Sequence, residues 1–137
     1  FPYEPLGGPT SFRLLQILET PDGSTSIHLK ITEFDRAHVS CPAYTALSYV
    51  WGNMRTLLPV HMNGRRVHIT PNLHEALVHL RVVKPGPVYW WIDALCMNQQ
   101  DTRERGHQVN QMRQIYSDAE EVVSWLGLGC GDTKKLF

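Results

Sequence analysis

Tyr44 to Trp51 reads YTALSYVW, an almost unbroken run of apolar and β-favouring residues. Such a run belongs in a strand covered on both faces. A second run, Val88 to Leu95 (VYWWIDAL), has the same character, with Asp93 as its only break, and reads as a buried central strand. Between the two, Thr70-Pro71 supplies a helix N-cap followed by proline at the first helical position. Leu73, Ala76, Leu77 and Leu80 then recur at helical spacing up to about Val83, where Lys84-Pro85-Gly86-Pro87 stops the pattern. After the second run, Asp101 to Ala119 predicts another helix, with Asp101 as N-cap, Glu104 closing a capping box, and Val109, Met112, Tyr116 and Ala119 as its buried stripe. Glu121 to Leu126 is a third strand that ends at Gly127. Two buried strands each followed by a helix, plus a third strand, predict an α/β fold whose central sheet is partly parallel and flanked by helices.

Towards the N-terminus the pattern changes. Phe12 to Glu19 and Ser26 to Phe34 are strand-like runs separated by Thr20-Pro21-Asp22-Gly23, which predicts an N-terminal β-hairpin. In the second run Ile27, Leu29 and Ile31 alternate with His28, Lys30 and Thr32, so one face is expected to be wet. Leu57 to Met62 and Arg65 to Thr70 flank Asn63-Gly64, a strong two-residue hairpin signal. Residues 1–11, rich in proline and glycine, read as an extended leader draped over the domain. Residues 12–128 read as that domain, and 129–137 as a linker to further domains.

The 137 residues suit a single core. Thirteen basic side chains balance thirteen acidic ones, so no overall field draws in nucleic acid or an anionic surface. The Arg65-Arg66 pair at the hairpin tip reads as solvated surface. The apolar runs are too short to cross a bilayer and no charged-then-apolar leader opens the chain, which predicts a soluble, cytoplasmic domain without a transmembrane segment. Cys41, Cys96 and Cys130 are widely spaced, as suits reduced thiols.

Asp93 lies among Trp90, Trp91, Ile92 and Leu95, towards the C-terminal end of a central strand, where open α/β sheets place their ligand crevice. Its carboxylate is either a functional group kept from water or a cap on the Cys96 to Gln100 loop. Glu104 and Gln108 share a stripe one helical turn apart. Glu104 either serves as nucleophile, base or cation stabiliser, or closes the capping box. Ser48, Trp51 and Gly52 lie at the exit of the other central strand, and Asn98, Gln99 and Gln100 form an amide cluster on the next loop. Trp51 could stack on a planar ligand or belong to the core.

Other chemistries are excluded by spacing. His74-Glu75 with His79 misses the zinc-protease pattern by one position, and the histidines and cysteines never reach metal-ligand spacing, so no metal site is expected. Gly127, Gly129 and Gly131 lack the dinucleotide fingerprint, no phosphate-binding Gly-Lys-Ser/Thr loop exists, and Ser48 sits in no Gly-x-Ser-x-Gly elbow.

Three blocks, YTALSYVWG (44–52), WWIDALCMNQ (90–99) and ERGHQVNQMRQIYSDAEEVVSWLG (104–127), resemble the fungal heterokaryon incompatibility (HET) family, as do the opening FPYEPL and FRLLQIL. Met97 stands where many relatives have Ile. The resemblance implies a cell-death effector of non-self recognition, a form of fungal innate immunity, activated by clustering on a receptor that carries other domains and meets an allelic protein partner. HET domains distantly resemble the Toll/interleukin receptor (TIR) fold, some members of which cleave NAD at its bond to nicotinamide. That likeness implies NAD as substrate with no bound cofactor, Glu104 and Asp93 as catalytic carboxylates, and Ser48, Trp51, Gly52, Asn98, Gln99 and Gln108 around the substrate. An alternative implied role is a non-enzymatic module that self-associates and recruits partners; neither role involves nucleic acid.

Overall fold

A computed structural model describes residues 1–19, 26–49, 55–84 and 86–125, together with the backbone of 134–136. The chain lays down β1 (Ser11–Ile17), β2 (His28–Asp35), β3 (Thr45–Tyr49), β4 (Leu58–Met62), β5 (Arg65–Ile69), α1 (Pro71–Val83), β6 (Trp90–Ile92), the short turn α2 (Asp93–Cys96), α3 (Thr102–Asp118), β7 (Glu121–Trp125) and β8 (Lys134–Leu136). The strands join one sheet in the order β5-β4-β2-β1-β6-β3-β7-β8. β6, β3 and β7 are parallel, with Thr45 opposite both Trp90 and Glu121. β1 pairs antiparallel with β2 and, on its other side, with β6. The sheet is therefore mixed, as the sequence predicts. β8 lies within the stretch expected to be a linker and pairs antiparallel with β7.

The apolar runs become strands because both of their faces are covered. Thr45, Ala46 and Leu47 are buried, as are Trp90, Trp91 and Ile92. α3 reaches the sheet where the rings of Tyr116 and Trp91 meet edge to face at 5.5 Å, and α1 where His79 lies 4.9 Å from Trp125. Trp91 is in register with Ala46 and Trp125 with Tyr49. Positions three apart on a strand point to opposite faces, so the two helices cover opposite faces of the parallel strands.

Local chemistry sets the helix ends. Thr70 Oγ1 accepts from the Leu73 amide at 3.3 Å, and the Pro71 ring occupies the first turn, where its missing N–H is not needed. Asp101 Oδ1 accepts from the amides of Arg103 and Glu104 at 3.1 and 3.2 Å. β4 and β5 pair directly across Asn63-Gly64, whose φ values are 50° and 79°. That left-handed geometry suits asparagine and glycine.

Three expectations are corrected. The strand expected over Val88 to Leu95 keeps only Trp90–Ile92, because the chain turns helical at Asp93. Val109 is 48% exposed, and α3 instead buries Glu104, Gln108 and Ile115. Its first two turns face an arginine and backbone carbonyls rather than aliphatic groups, so the buried stripe begins with polar residues. Glu104 does not close a capping box; its carboxylate reaches elsewhere, as described below. The turn expected at Thr20 to Gly23 and the strand end at Gly52-Asn53 lie outside the described residues.

Candidate functional site

Arg13 is a lone cation in the buried strand β1, 4% exposed, and must find an anion there. It finds Glu104. Nη1 donates to Oε2 at 2.7 Å and Nη2 to Oε1 at 2.6 Å, a fork-to-fork pair. The Asn98 amide adds a third donor to Glu104 Oε2 at 2.6 Å. The guanidinium also donates to the carbonyls of Cys96 (3.2 Å) and Glu4 (2.8 Å), and it lies 4.7 Å from the centre of the Tyr3 ring. Burial alone would push the Glu104 pKa up. The hydrogen bonds from Arg13 and Asn98, with the charge of Arg13, outweigh it and hold the carboxyl below its ordinary range.

The leader closes over this pair. Tyr3 Oη donates to the Leu95 carbonyl at 2.7 Å, and Gln111 Nε2 to that of Pro9 at 2.6 Å. Burial pushes the Tyr3 phenol up to about 12. A cavity of about 440 Å³ between leader and α3 reaches Glu104 past Leu6, Asp101, Arg103 and His107. Another, of about 580 Å³, reaches Arg13 past Tyr3, Glu33 and Arg65. Neither is lined by Ser48, Asp93 or Asn98.

Asp93 belongs to a different microenvironment. It follows β6 directly, at the C-terminal end of the parallel strands, beside the end of β3 at Tyr49. Burial pushes its pKa up, and the Ala94 amide offsets this only in part. Burial, and then the charge of Asp93, likewise raise the phenols of Tyr49 and Tyr116, the latter to about 12. These three groups are therefore half-buried neighbours. Open α/β sheets have their ligand crevice at this end of the strands.

The remaining expected residues divide between these two places. Ser48 is exposed near the end of β3. Gln99 Nε2 donates to the Asp93 carbonyl at 2.9 Å, and Asn98 Oδ1 accepts from the Gln100 amide at 3.1 Å, so both side chains fold the loop between α2 and α3. Gln108 is fully buried; its Nε2 donates to the Ser11 carbonyl at 3.1 Å, and its Oε1 has no partner. Trp51 and Gly52 lie outside the described residues. Arg13, Tyr49 and Tyr116 were missed from the sequence as participants. Arg13 carried a signal, since an arginine between Phe12 and Leu14 in a buried run needs a buried anion. The tyrosines carried none, being ordinary strand and helix residues. Among the described residues, no cluster of three or more His, Cys, Asp or Glu could hold a metal ion.

The elements from β3 through β8, which carry Asp93 and Glu104 but not Arg13 or the leader, fall within a match to the family model described as heterokaryon incompatibility protein (HET), which covers residues 44–136. The chain belongs to the HET family. It is also 37% identical over 108 residues to heterokaryon incompatibility protein 6, OR allele, of Neurospora crassa. That alignment covers 70% of this chain but 16% of the relative, so this HET domain spans about a sixth of that protein's length. No solved structure matches the chain.

Proposed function

We propose that this HET domain is the cell-death effector part of a cytoplasmic fungal non-self recognition receptor. On this reading, clustering of the domain with further copies switches it on after other domains of the same receptor meet an allelic protein. We further propose that it cleaves NAD at the nicotinamide glycosidic bond in the crevice at the ends of β3 and β6, in the manner of TIR-like enzymes. The observation that carries this reading is the half-buried Asp93 carboxylate at the C-terminal end of the parallel strands, whose pKa burial pushes up. A carboxylate whose charge is poorly solvated gains most when a cationic centre forms beside it. In NAD the C1′–N bond breaks with its electron pair leaving on neutral nicotinamide. Asp93 then faces the oxocarbenium at C1′, water adds there, and its proton passes to solvent, giving ADP-ribose.

In this scheme Glu104 is a positioning residue. It holds the Asn98 amide, and so the loop after Asp93, while its ion pair with Arg13 stays closed. The same saturation of Glu104 by three N–H donors favours the second reading, a module that signals death by recruiting partners without chemistry. Nicotinamide release from NAD by purified protein clustered on a scaffold separates the two. Release lost in Asp93→Asn, with circular dichroism showing a folded variant, supports the enzyme with Asp93 at its centre. Release lost only in folded Glu104→Gln returns the catalytic role to Glu104. Absence of release at high density, with death signalling intact in cells, supports the recruiting module.

A further inference from the structure

Charge that cancels over the whole chain is segregated by the fold. His28 on β2 is opposite His61 on β4, their rings stacked at 4.7 Å and 13°, and His61 is opposite Arg66 on β5. Cross-strand partners point to the same face, as do residues two apart along a strand. The row His28-His61-Arg66 therefore shares one face with Lys30 and His68, beside Gln16, which is opposite Lys30 on β1. Lys30, Arg66 and His68 are exposed. The opposite face buries Leu29, Ile31, Val60, Met62 and Ile69 in the core. Glu33 and Asp35, the acidic residues of β2, fall on that other side of the strand. Among the described residues of β1, β2, β4 and β5, the basic face carries no carboxylate. Its apolar members at the rim are Pro59, opposite His68, the half-buried Phe34 on β2, and Leu18, whose amide donates to the His28 carbonyl and which is 39% exposed.

We infer that this face is a docking surface for an anionic lipid bilayer, seated on headgroup phosphates and carboxylates without insertion of a helix. Charge complementarity identifies the occupant's sign, and the face's composition identifies its form. Single-stranded nucleic acid is held by aromatic platforms on which bases stack. Here the two imidazole rings stack on each other, and the aromatic on this side of β2, Phe34, is packed edge to face against Tyr89 at 5.4 Å rather than presented as a platform. A sheet face with cations at its centre and apolar groups at its rim matches a headgroup layer. The charged groups beside the His28–His61 pair on this face are Lys30 and Arg66, both cations.

The test is co-sedimentation of the chain with vesicles of phosphatidylcholine alone or with phosphatidylserine added to about 30%, a composition that gives a negative surface potential. The expected result is binding to the mixed vesicles only. Each basic residue near such a surface strengthens binding roughly fivefold, so Lys30→Gln with Arg66→Gln should weaken it about 30-fold. Both side chains are exposed, so the double variant keeps the fold, which circular dichroism checks. Equal binding to both vesicle types, no binding to either, or binding that survives the double substitution overturns the proposal. So does competition by free inorganic phosphate at the concentration of the lipid headgroups, which would mean a small-anion site, or tighter binding to a single-stranded oligonucleotide than to the vesicles.

Discussion

Arg13 and Glu104 each make the other tolerable. Removing one partner leaves a buried charge unpaired, which costs about 3–5 kcal/mol. Arg13→Met and Glu104→Gln should each lower the urea midpoint accordingly, and the double replacement Arg13→Met with Glu104→Leu should cost less than the sum of the singles. The two acidic residues also predict opposite pH behaviour. The folded-state pKa of Glu104 is depressed, so its stabilisation is complete above the ordinary carboxyl value of 4.5 and is lost as pH falls through the folded value. Glu104→Gln should flatten the acid limb of the stability curve. The folded-state pKa of Asp93 is raised, so its contribution is most favourable below the ordinary value of 3.8 and is lost as pH rises through the folded value. Asp93→Asn should therefore be more stable than the parent at neutral pH, with the gap closing in acid. Denaturation across a pH series checks both; an Asp93→Asn variant less stable than the parent at neutral pH would contradict the desolvated carboxylate.

On the scale of elements, α3 shows what periodicity could and could not tell. Its limits were legible because Asp101 is a strong cap and Ala119 ends the pattern, and the structure gives Thr102–Asp118. Helical spacing points Val109 inward, yet the inner face of the first turns is polar and Val109 is exposed. Ile115→Ala should cost about 2–5 kcal/mol as a core truncation, while Val109→Ala should stay within about 0.5 kcal/mol. Thermal unfolding of the two variants distinguishes them. α1 was legible to its ends because cap, proline and apolar spacing agree. β6 was not, because an unbroken apolar run is equally compatible with a strand and with a buried helical turn, and the turn takes over at Asp93.

For the whole molecule, the mixed sheet could be read from the alternation of buried runs and helices, but the position of β1 between β2 and β6 could not. No local pattern encodes which distant strand a given edge will meet. The same holds for the ion pair of Arg13 with Glu104 and for the leader's seat on Leu95, both fixed by tertiary packing. Removing residues 1–10 should leave a folded domain weakened by about 2–3 kcal/mol through loss of the Tyr3 contacts and the Glu4 carbonyl. It should also make stability salt-sensitive, because the ion pair is then open to water. Urea midpoints at low and high salt check this; an unchanged midpoint would mean that the leader is ornamental.

The antiparallel contact of Leu15 with Trp90 has a bearing on biogenesis. At translation rates of about 5–20 residues per second, the ribosome needs roughly 4–15 s to make the segment separating those two residues. Throughout that interval one edge of β1 has backbone groups ready to pair and no native neighbour to accept them. An edge left open on that timescale is a template for wrong pairing between nascent chains. Yield of this domain should therefore depend on chaperone supply and on synthesis rate more than its finished stability would suggest.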